Sequence, residues 1–351
     1  MSLLAQKPAY NFCAGPSMIA PSILEAVRAD LTDWNGLGRT VLELSHRTPD
    51  YAELHAHVIA NLHQLLGVGD EVTILLLQGG ASGQFAMLPY NFLREGAAAD
   101  YLVRGYWGER ASQQAARVGC VRTLSQPEGW NADAVYAHVT TNETIAGTCL
   151  PEAAFVPPMP LCADMSSDIL SRPRDYSRYA LFYAGAQKNL GVAGLAVVVA
   201  QKEFLSNARR NLPAAFCYLE HAKAAGLYHT PNVFAVDVLS HVTDALLTEG
   251  LPNVFARNVR KAKKLYDELD RSDFWRPLAP VAERSITNVT FRLPTVELED
   301  QFLQGAEAES LFALRGHRAL GGIRASLYNA FPEEGVDALI TFMRQFEKSN
   351  G

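Results

Sequence analysis

The chain has 351 residues, of which 48% are hydrophobic and 19% are charged, and its net charge is -6 at pH 7. This length can bury a large core in more than one domain, and the composition is that of a globular protein rather than a disordered or fibrous one. The negative net charge argues against a nucleic-acid-binding protein. There is no membrane-length apolar run, no signal-peptide core and no CxxC pair among five cysteines, so we expect a cytoplasmic protein without membrane segments.

Helices and short apolar runs alternate along the first 250 residues. The spacing of apolar residues predicts helices at residues 21–34, 51–66 and 84–93. Continuous apolar runs predict buried strands at residues 71–77, 99–103, 134–139, 161–163, 180–183 and 195–200. Strands that alternate with helices are typical of an α/β fold built on a mostly parallel sheet.

The pattern changes after about residue 250. A long basic helix is predicted at residues 255–269, and the β-branched alternation of residues 285–292 predicts an antiparallel strand. Two more helices are predicted at residues 307–315 and 334–347. We interpret this part of the chain as a smaller α+β domain.

Lys188 lies between two predicted strands, among small residues that cannot shield it: Gly185, Ala186, Gly191, Ala193 and Gly194. Burial disfavours the ammonium form of a lysine and lowers its pKa. A lysine that loses its proton can attack a carbonyl carbon and form a Schiff base. A lysine in a surface turn is the alternative, and Lys188 alone does not decide between the two.

Two other motifs favour the reactive lysine. Residues 79–83, Gly-Gly-Ala-Ser-Gly, join a predicted strand to a helix, where free N–H groups can bind phosphate or simply form a tight turn. The motif is neither GxxxxGK[ST] nor GxGxxG, which argues against ATP and dinucleotides. Asp164 ends a short predicted strand, where it can cap the turn or pair with a pyridinium nitrogen. An imine-forming lysine and such an aspartate are the groups that pyridoxal phosphate most needs.

Aromatic and basic residues add to this hypothesis. Trp107 follows a predicted strand and can stack on a cofactor ring, although a core tryptophan is the alternative. Thr144 offers a hydroxyl group. Basic residues cluster at residues 45–47 and 315–324, where arginine suits carboxylates and phosphates. In an acidic chain these clusters indicate either a small polyanionic substrate or a solvated surface patch.

The histidines do not predict a metal centre. His55 and His57 are two residues apart on a predicted helix, so they face different directions and cannot chelate one ion as an HExxH pair does. We therefore predict no metal site.

Together these motifs resemble phosphoserine aminotransferases, class-V enzymes of fold type I that use pyridoxal 5′-phosphate. The resemblance runs nearly end to end and rests on residues 11–16, 33–38, 43–47, 79–85, 105–107, 142–144, 163–164, 171–173, 183–189 and 316–324. It implies a large domain at residues 16–250 with a mostly parallel, mixed seven-stranded sheet. It also implies a small α+β domain formed by residues 1–15 and 251–351, and a homodimer with active sites at the interface.

The resemblance assigns roles to particular residues. Lys188 would hold the cofactor as an imine and carry the substrate proton, and Asp164 would keep the pyridine nitrogen protonated. Trp107 would stack on the ring, and Thr144 would bind its phenolic oxygen. The cofactor phosphate would be bound by Ala81, Ser82 and Gln187, with His229 and Thr230 lent by the neighbouring subunit. The substrate carboxylate would be bound by Arg324, and the substrate phosphate or the glutamate side chain by Arg47, His317 and Arg318.

The implied reaction is transamination of 3-phosphohydroxypyruvate with glutamate to phosphoserine and 2-oxoglutarate. This is a step of serine biosynthesis, and some members also act in vitamin B6 synthesis. Many members have asparagine where this chain has His229, some have arginine at Ser82, and serine is common at Ala14; the segment 119–134 is also shorter than in many members. The alternatives are an alanine–glyoxylate or serine–pyruvate aminotransferase, a cysteine desulfurase-like lyase, and a binding protein without activity.

Overall fold

The computed structural model describes residues 8–351. Its α-helices are α1 (Pro21–Asp30), α2 (Pro49–Leu66), α3 (Ala81–Phe92), α4 (Tyr106–Ala115), α5 (Lys202–Ser206), α6 (Tyr218–Lys223), α7 (Val233–Glu249), α8 (Leu251–Leu269), α9 (Val296–Ala308) and α10 (Glu333–Asn350). Among these residues, no helix is both long enough and apolar enough to cross a membrane.

The strands in the same residues form four sheets. They are β1 (Tyr10–Asn11), β2 (Val72–Gly79), β3 (Ala98–Leu102), β4 (Cys120–Leu124), β5 (Ala137–Thr140), β6 (Asn142–Glu143), β7 (Thr148–Cys149), β8 (Leu161–Asp164), β9 (Leu181–Gly185), β10 (Gly194–Gln201), β11 (Arg276–Pro277), β12 (Asn288–Arg292), β13 (Leu311–Phe312) and β14 (Ile323–Ser326). The largest sheet has seven strands in the order β2-β10-β9-β8-β5-β3-β4.

The seven-stranded sheet is mixed, as the family resemblance implied. Strand β10 runs antiparallel to both β2 and β9, and the remaining neighbours are parallel. Because β2 and β9 both oppose β10, the carboxyl ends of β2, β9, β8, β5 and β3 lie at one edge. Polar residues that follow these strands therefore lie close together at this edge, where α/β folds usually bind their ligands.

Helices cover both faces of this sheet, which explains its continuous apolar strands. In β2, Ile74 and Leu76 belong to one apolar cluster, while Leu75 and Leu77 belong to another on the opposite face. Alternate side chains of a strand point to opposite faces, so both sets are buried. This burial fixes the register of β2 and with it the position of the turn that follows.

The C-terminal part of the chain has its own apolar core. Strand β12 pairs antiparallel with β11 and β14, which confirms the antiparallel strand predicted there. A third apolar cluster joins these strands to α8, α9 and α10, and it includes Phe12 from the N-terminal part of the chain.

One predicted helix is wrong. Residues 307–315 were expected to be helical, but α9 ends at Ala308 and β13 follows at Leu311–Phe312. Ser310 and Ala313 adopt φ angles of 61° and 61°, and the left-handed region interrupts a right-handed helix. The apolar residues of this segment therefore pair with β1 in a short parallel sheet.

Candidate active site

A cavity of about 520 Å³ lies at the carboxyl edge of the large sheet. Nine of the residues singled out in the sequence line it: Ala81, Ser82, Trp107, Thr144, Asp164, Gln187, Lys188, His317 and Arg324. Seven of them lie at or after strand ends between residues 81 and 188, and His317 and Arg324 come from the C-terminal part of the chain, so the fold is what brings them together.

Lys188 lies in the turn between β9 and β10 and is only partly buried, because one side of it faces the cavity. Its Nζ is 5.6 Å from the centre of the Trp107 ring. Burial lowers the pKa of Lys188, and the nearby Asp164 carboxylate partly offsets that effect. The lysine backbone is fixed by Ser17, whose Oγ donates to the Lys188 carbonyl at 2.5 Å.

The loop before Ser17 must approach this lysine closely. Gly15 has a φ of 134°, and a Cβ built there would lie 3.3 Å from Cγ of Lys188. Only glycine combines that backbone conformation with that clearance. The sequence Ala14-Gly15 therefore closes one wall of the cavity against the lysine.

Asp164 ends β8 and is only 5% exposed. Its Oδ1 accepts hydrogen bonds from the backbone N–H and the hydroxyl of Ser166, at 2.9 and 2.6 Å. Burial raises the pKa of Asp164, and Lys188 opposes that rise. Both bonds go to Oδ1, so Oδ2 is the oxygen left for a cationic N–H group in the cavity.

Trp107, Thr144 and Glu143 form a connected group at the start of α4. Trp107 Nε1 donates to Thr144 Oγ1 at 2.8 Å, so the single hydroxyl hydrogen of Thr144 stays free to donate elsewhere. The backbone N–H groups of Trp107 and Gly108 donate to the two oxygens of Glu143, at 3.1 and 2.9 Å. Glu143 thereby caps α4 and sets the position of the Trp107 ring.

The glycine turn also differs from its prediction in a useful way. The helix predicted to begin at residue 84 begins at Ala81, with Gly80 as the residue before it. Ala81 and Ser82 therefore lie in the first turn, where backbone N–H groups have no acceptor within the helix. An anion is stabilised there by these groups and by the helix dipole.

Arg324 and His317 form the basic side of the cavity. In the part of the chain that the structure describes, Arg324 forms no ion pair, and its buried Nε has no hydrogen-bond partner. Burial lowers the pKa of Arg324, which marks a cation that lacks a nearby carboxylate. His317 contacts the ring of Tyr106, with ring centres 4.9 Å apart.

Four predicted site residues do not line this cavity: Arg47, His229, Thr230 and Arg318. Arg47, Arg318 and Thr230 are exposed, and His229 is half-buried with its ring near His221 and Tyr228. The Thr230 carbonyl accepts a hydrogen bond from Gln78, which keeps this segment near the end of β2.

Comparison with known proteins identifies the family. The family described as Aminotransferase class-V matches residues 9–339. The chain is 43% identical to phosphoserine aminotransferase from Herpetosiphon aurantiacus and 42% identical to that from Laribacter hongkongensis, in each case over 97% of this chain and 99% of the relative. It belongs to the class-V aminotransferases, in the phosphoserine aminotransferase family.

Solved structures of phosphoserine aminotransferases superpose closely. The enzyme from Bacillus circulans subsp. alkalophilus has a TM-score of 0.94 at 38% identity, covering 99% of this chain and 100% of that one. A PLP-bound phosphoserine aminotransferase from Trichomonas vaginalis has a TM-score of 0.89 at 33% identity, covering 96% and 100%. The predicted fold, an α/β fold of the fold-type I transferase class, is confirmed.

The cavity fits pyridoxal 5′-phosphate. A lysine with a lowered pKa, a buried carboxylate with one unbonded oxygen, a tryptophan ring and a free helix N-terminus all border one space. In that molecule the lysine suits the aldehyde, and the carboxylate suits the ring nitrogen. The tryptophan suits the ring face, and the helix N-terminus suits the phosphate.

Glu143 is a residue beside the cavity that sequence reasoning missed. It is 2% exposed, and burial raises its pKa to about 7. A Cβ at Gly105 would lie 2.6 Å from the Glu143 carboxyl carbon, so the glycine leaves room for the acid. An acidic residue between Asn142 and Thr144, after a buried strand, was the available signal.

Replacing Glu143 with alanine is expected to weaken cofactor binding about tenfold. The N–H groups of Trp107 and Gly108 would lose their acceptor at a cost of about 1–3 kcal/mol, and the Trp107 ring would no longer be held in place. The measurement is the dissociation constant for pyridoxal phosphate. The control is Glu109→Ala, which removes an exposed acid from α4, the helix that Glu143 caps. This variant should bind pyridoxal phosphate with the wild-type affinity. Equal affinities for the two variants would contradict the assigned role of Glu143.

Proposed function

We propose that the chain is a pyridoxal phosphate-dependent phosphoserine transaminase. It transfers the amino group of glutamate to 3-phosphohydroxypyruvate, which gives O-phospho-L-serine and 2-oxoglutarate. This proposal rests on one observation: Lys188, Asp164 and the unpaired Arg324 line the same cavity. Full-length identity of about 40% to proteins named phosphoserine aminotransferase supports the choice of substrate.

Each residue has a defined task in the proposed reaction. When bound, pyridoxal phosphate supplies an electron sink and stores the amino group between two half-reactions. Lys188 would hold the cofactor covalently through Nζ. Once the substrate amino group has displaced Nζ from the cofactor, the freed amine would take the proton from the substrate Cα. Its lowered pKa favours the neutral amine that accepts this proton. Asp164 holds a proton on the ring nitrogen, because a buried carboxylate favours a cationic partner.

The other wall residues orient the cofactor and the substrate. Trp107 would stack on the ring face, and Thr144 would donate its free hydroxyl hydrogen to the phenolic oxygen. Ala81 and Ser82 at the start of α3, with Gln187 from the turn after β9, would bind the cofactor phosphate. Arg324 binds the carboxylate that both substrates carry, and its buried, unpaired guanidinium supports this role.

We propose that the active site is completed by a second copy of the chain. Arg47 and Arg318 are exposed, although the resemblance assigns both to the substrate phosphate together with His317. His229 and Thr230 are likewise assigned to the neighbouring subunit's cofactor. The exposed apolar residues Leu42 and Tyr228, at 63% and 45%, lie in the same two segments and are suited to burial in an interface.

We also propose a division into a large domain, residues 16–250, and a small domain, residues 1–15 with 251–351. The separate apolar core that joins Phe12 to the C-terminal helices supports it. Residues 1–7 lie outside the described part of the chain. A cytoplasmic location is part of the same proposal, and five free cysteines fit a reducing compartment.

The proposal is tested by the variant His317→Ala/Arg318→Ala. Phosphate recognition predicts a rise in KM for phosphoserine of about 10²-fold, since two charge-assisted contacts contribute about 1.5 kcal/mol each. Transamination of alanine, which has no phosphate, should change less than twofold in the same variant. Equal losses of activity with phosphoserine and alanine, or no loss with either, would contradict phosphate recognition by His317 and Arg318.

A further inference from the structure

A second cluster of ionisable side chains lies where α1 crosses α7, and none of its residues lines the active-site cavity. Asp30 is the last residue of α1, while Asp237 and His241 are four residues apart on α7 and so share one face of that helix. One ligand atom from each of the three lies within 4.8 Å of the other two. His241 Nε2 is already 2.6 Å from Asp30 Oδ2.

One carboxylate oxygen of Asp237 has no hydrogen-bond partner within residues 8–351. It is 2% exposed, and its Oδ1 accepts a hydrogen bond from Trp34 Nε1 at 2.9 Å. Its Oδ2 is buried and has no hydrogen-bond partner among the described residues. An unpaired buried oxygen of this kind costs free energy, and the Asp30 carboxylate nearby adds repulsion. Burial and Asp30 together raise the pKa of Asp237.

We propose that Asp30, Asp237 and His241 form a binding site for a divalent transition-metal ion of the Zn²⁺ class. Such an ion would give the orphan oxygen a partner and neutralise both carboxylates. Zn²⁺ binds both imidazole nitrogen and carboxylate oxygen, whereas Mg²⁺ and Ca²⁺ prefer ligands that are all oxygen.

The three ligand atoms must shift to hold an ion. Zinc–ligand distances of about 2.0–2.1 Å place tetrahedral ligands roughly 3.3 Å apart, so the His241–Asp30 contact would open by less than about 1 Å. The two distances to Asp237, each within 4.8 Å, would close by at most about 1.5 Å. The side chains of His241 and Asp30 are 29% and 14% exposed, which gives the ion an entry path and leaves room for water as a fourth ligand. The ion would link α1 to α7, and binding to the folded state alone would stabilise the protein.

The site is independent of the proposed transaminase activity, and its test uses binding and stability. The cofactor-loaded enzyme is treated with chelator, then titrated with Zn²⁺ in a phosphate-free buffer by calorimetry, and its melting temperature is followed. We expect one Zn²⁺ per chain, a rise in melting temperature, and no such effect of Mg²⁺ at the same concentration.

Substitutions of the proposed ligands test whether the ion binds to these residues. His241→Gln and Asp237→Asn are each expected to lower the Zn²⁺ affinity at least about tenfold, because each removes one of three protein ligands. Asp237→Asn keeps an amide oxygen for Trp34 and removes a buried charge, so it tests the site even if His241→Gln folds poorly. His57→Gln is the matched control, since His57 on α2 pairs with Asp244 of α7 at 2.8 Å, and among the described residues no third His, Cys, Asp or Glu joins this pair.

Two results would overturn the proposal. One is the absence of stoichiometric Zn²⁺ binding by the wild-type enzyme. The other is binding that is equally strong in Asp237→Asn or His241→Gln, which would place the ion elsewhere, for example at the neighbouring rings of His221 and His229. Loss of binding in these two variants but not in His57→Gln would support it.

Discussion

Replacing Lys188 with alanine is expected to reduce amino transfer at least about 10³-fold, because the variant loses both the covalent attachment of the cofactor and the base that removes the substrate proton. Methyl side chains cannot replace either function. The cavity around position 188 is lined by residues that keep their other contacts, so the protein should still fold. The measurements are the rate of the complete reaction and the fraction of cofactor that stays on the denatured protein after borohydride reduction.

Lys223→Ala provides the control for this experiment. Lys223 is an exposed lysine at the end of α6 that pairs with Glu220, and its replacement should leave both measurements unchanged. Turnover at the wild-type rate by Lys188→Ala, or cofactor still fixed to that variant by borohydride, would show that another group forms the imine.

The second large effect is expected for Asp164→Asn. A neutral amide cannot stabilise a proton on the cofactor ring nitrogen, and breaking a buried charge pair costs about 3–5 kcal/mol, so kcat should fall at least about 10²-fold. The Ser166 hydrogen bonds can be kept by the asparagine oxygen, and removal of a buried charge should not lower the melting temperature. Measuring kcat together with thermal unfolding separates the chemical effect from a folding defect.

Asp133→Asn, at an exposed position, is the matched control for this substitution. It should leave both kcat and the melting temperature unchanged. A kcat within about threefold of wild type for Asp164→Asn would mean that the ring nitrogen is not protonated by this residue.

Much of the fold and of the cavity could be predicted because both depend on local patterns. Continuous apolar runs predicted the buried strands β2, β8, β9 and β10, and these strands carry the site residues at their ends. Lys188 and Asp164 were identifiable because an isolated charge beside a buried strand needs a partner. The structure adds the distances and shows that Arg324, from the far end of the chain, enters the same space.

Other features depend on tertiary contacts that no local pattern contains. The helix predicted at residues 307–315 failed because pairing with β1, some 300 residues away, and two left-handed residues decide that segment. Helix α7 was not predicted, since it is buried on most sides and lacks a clear polar face. The cluster of Asp30 with Asp237 and His241 was missed for a similar reason, because Asp30 lies about 200 residues before the other two in the chain.

The central claim is that this active site recognises a phosphorylated amino acid. The most direct test is the change in absorbance of the bound cofactor when the wild-type enzyme is mixed with O-phosphoserine, serine or alanine, each in the absence of a keto acid. The account predicts complete conversion by O-phosphoserine at concentrations about 10²-fold or more below those that serine or alanine require, because only that donor engages Arg47, His317 and Arg318. Equal responses to the three amino acids would contradict it.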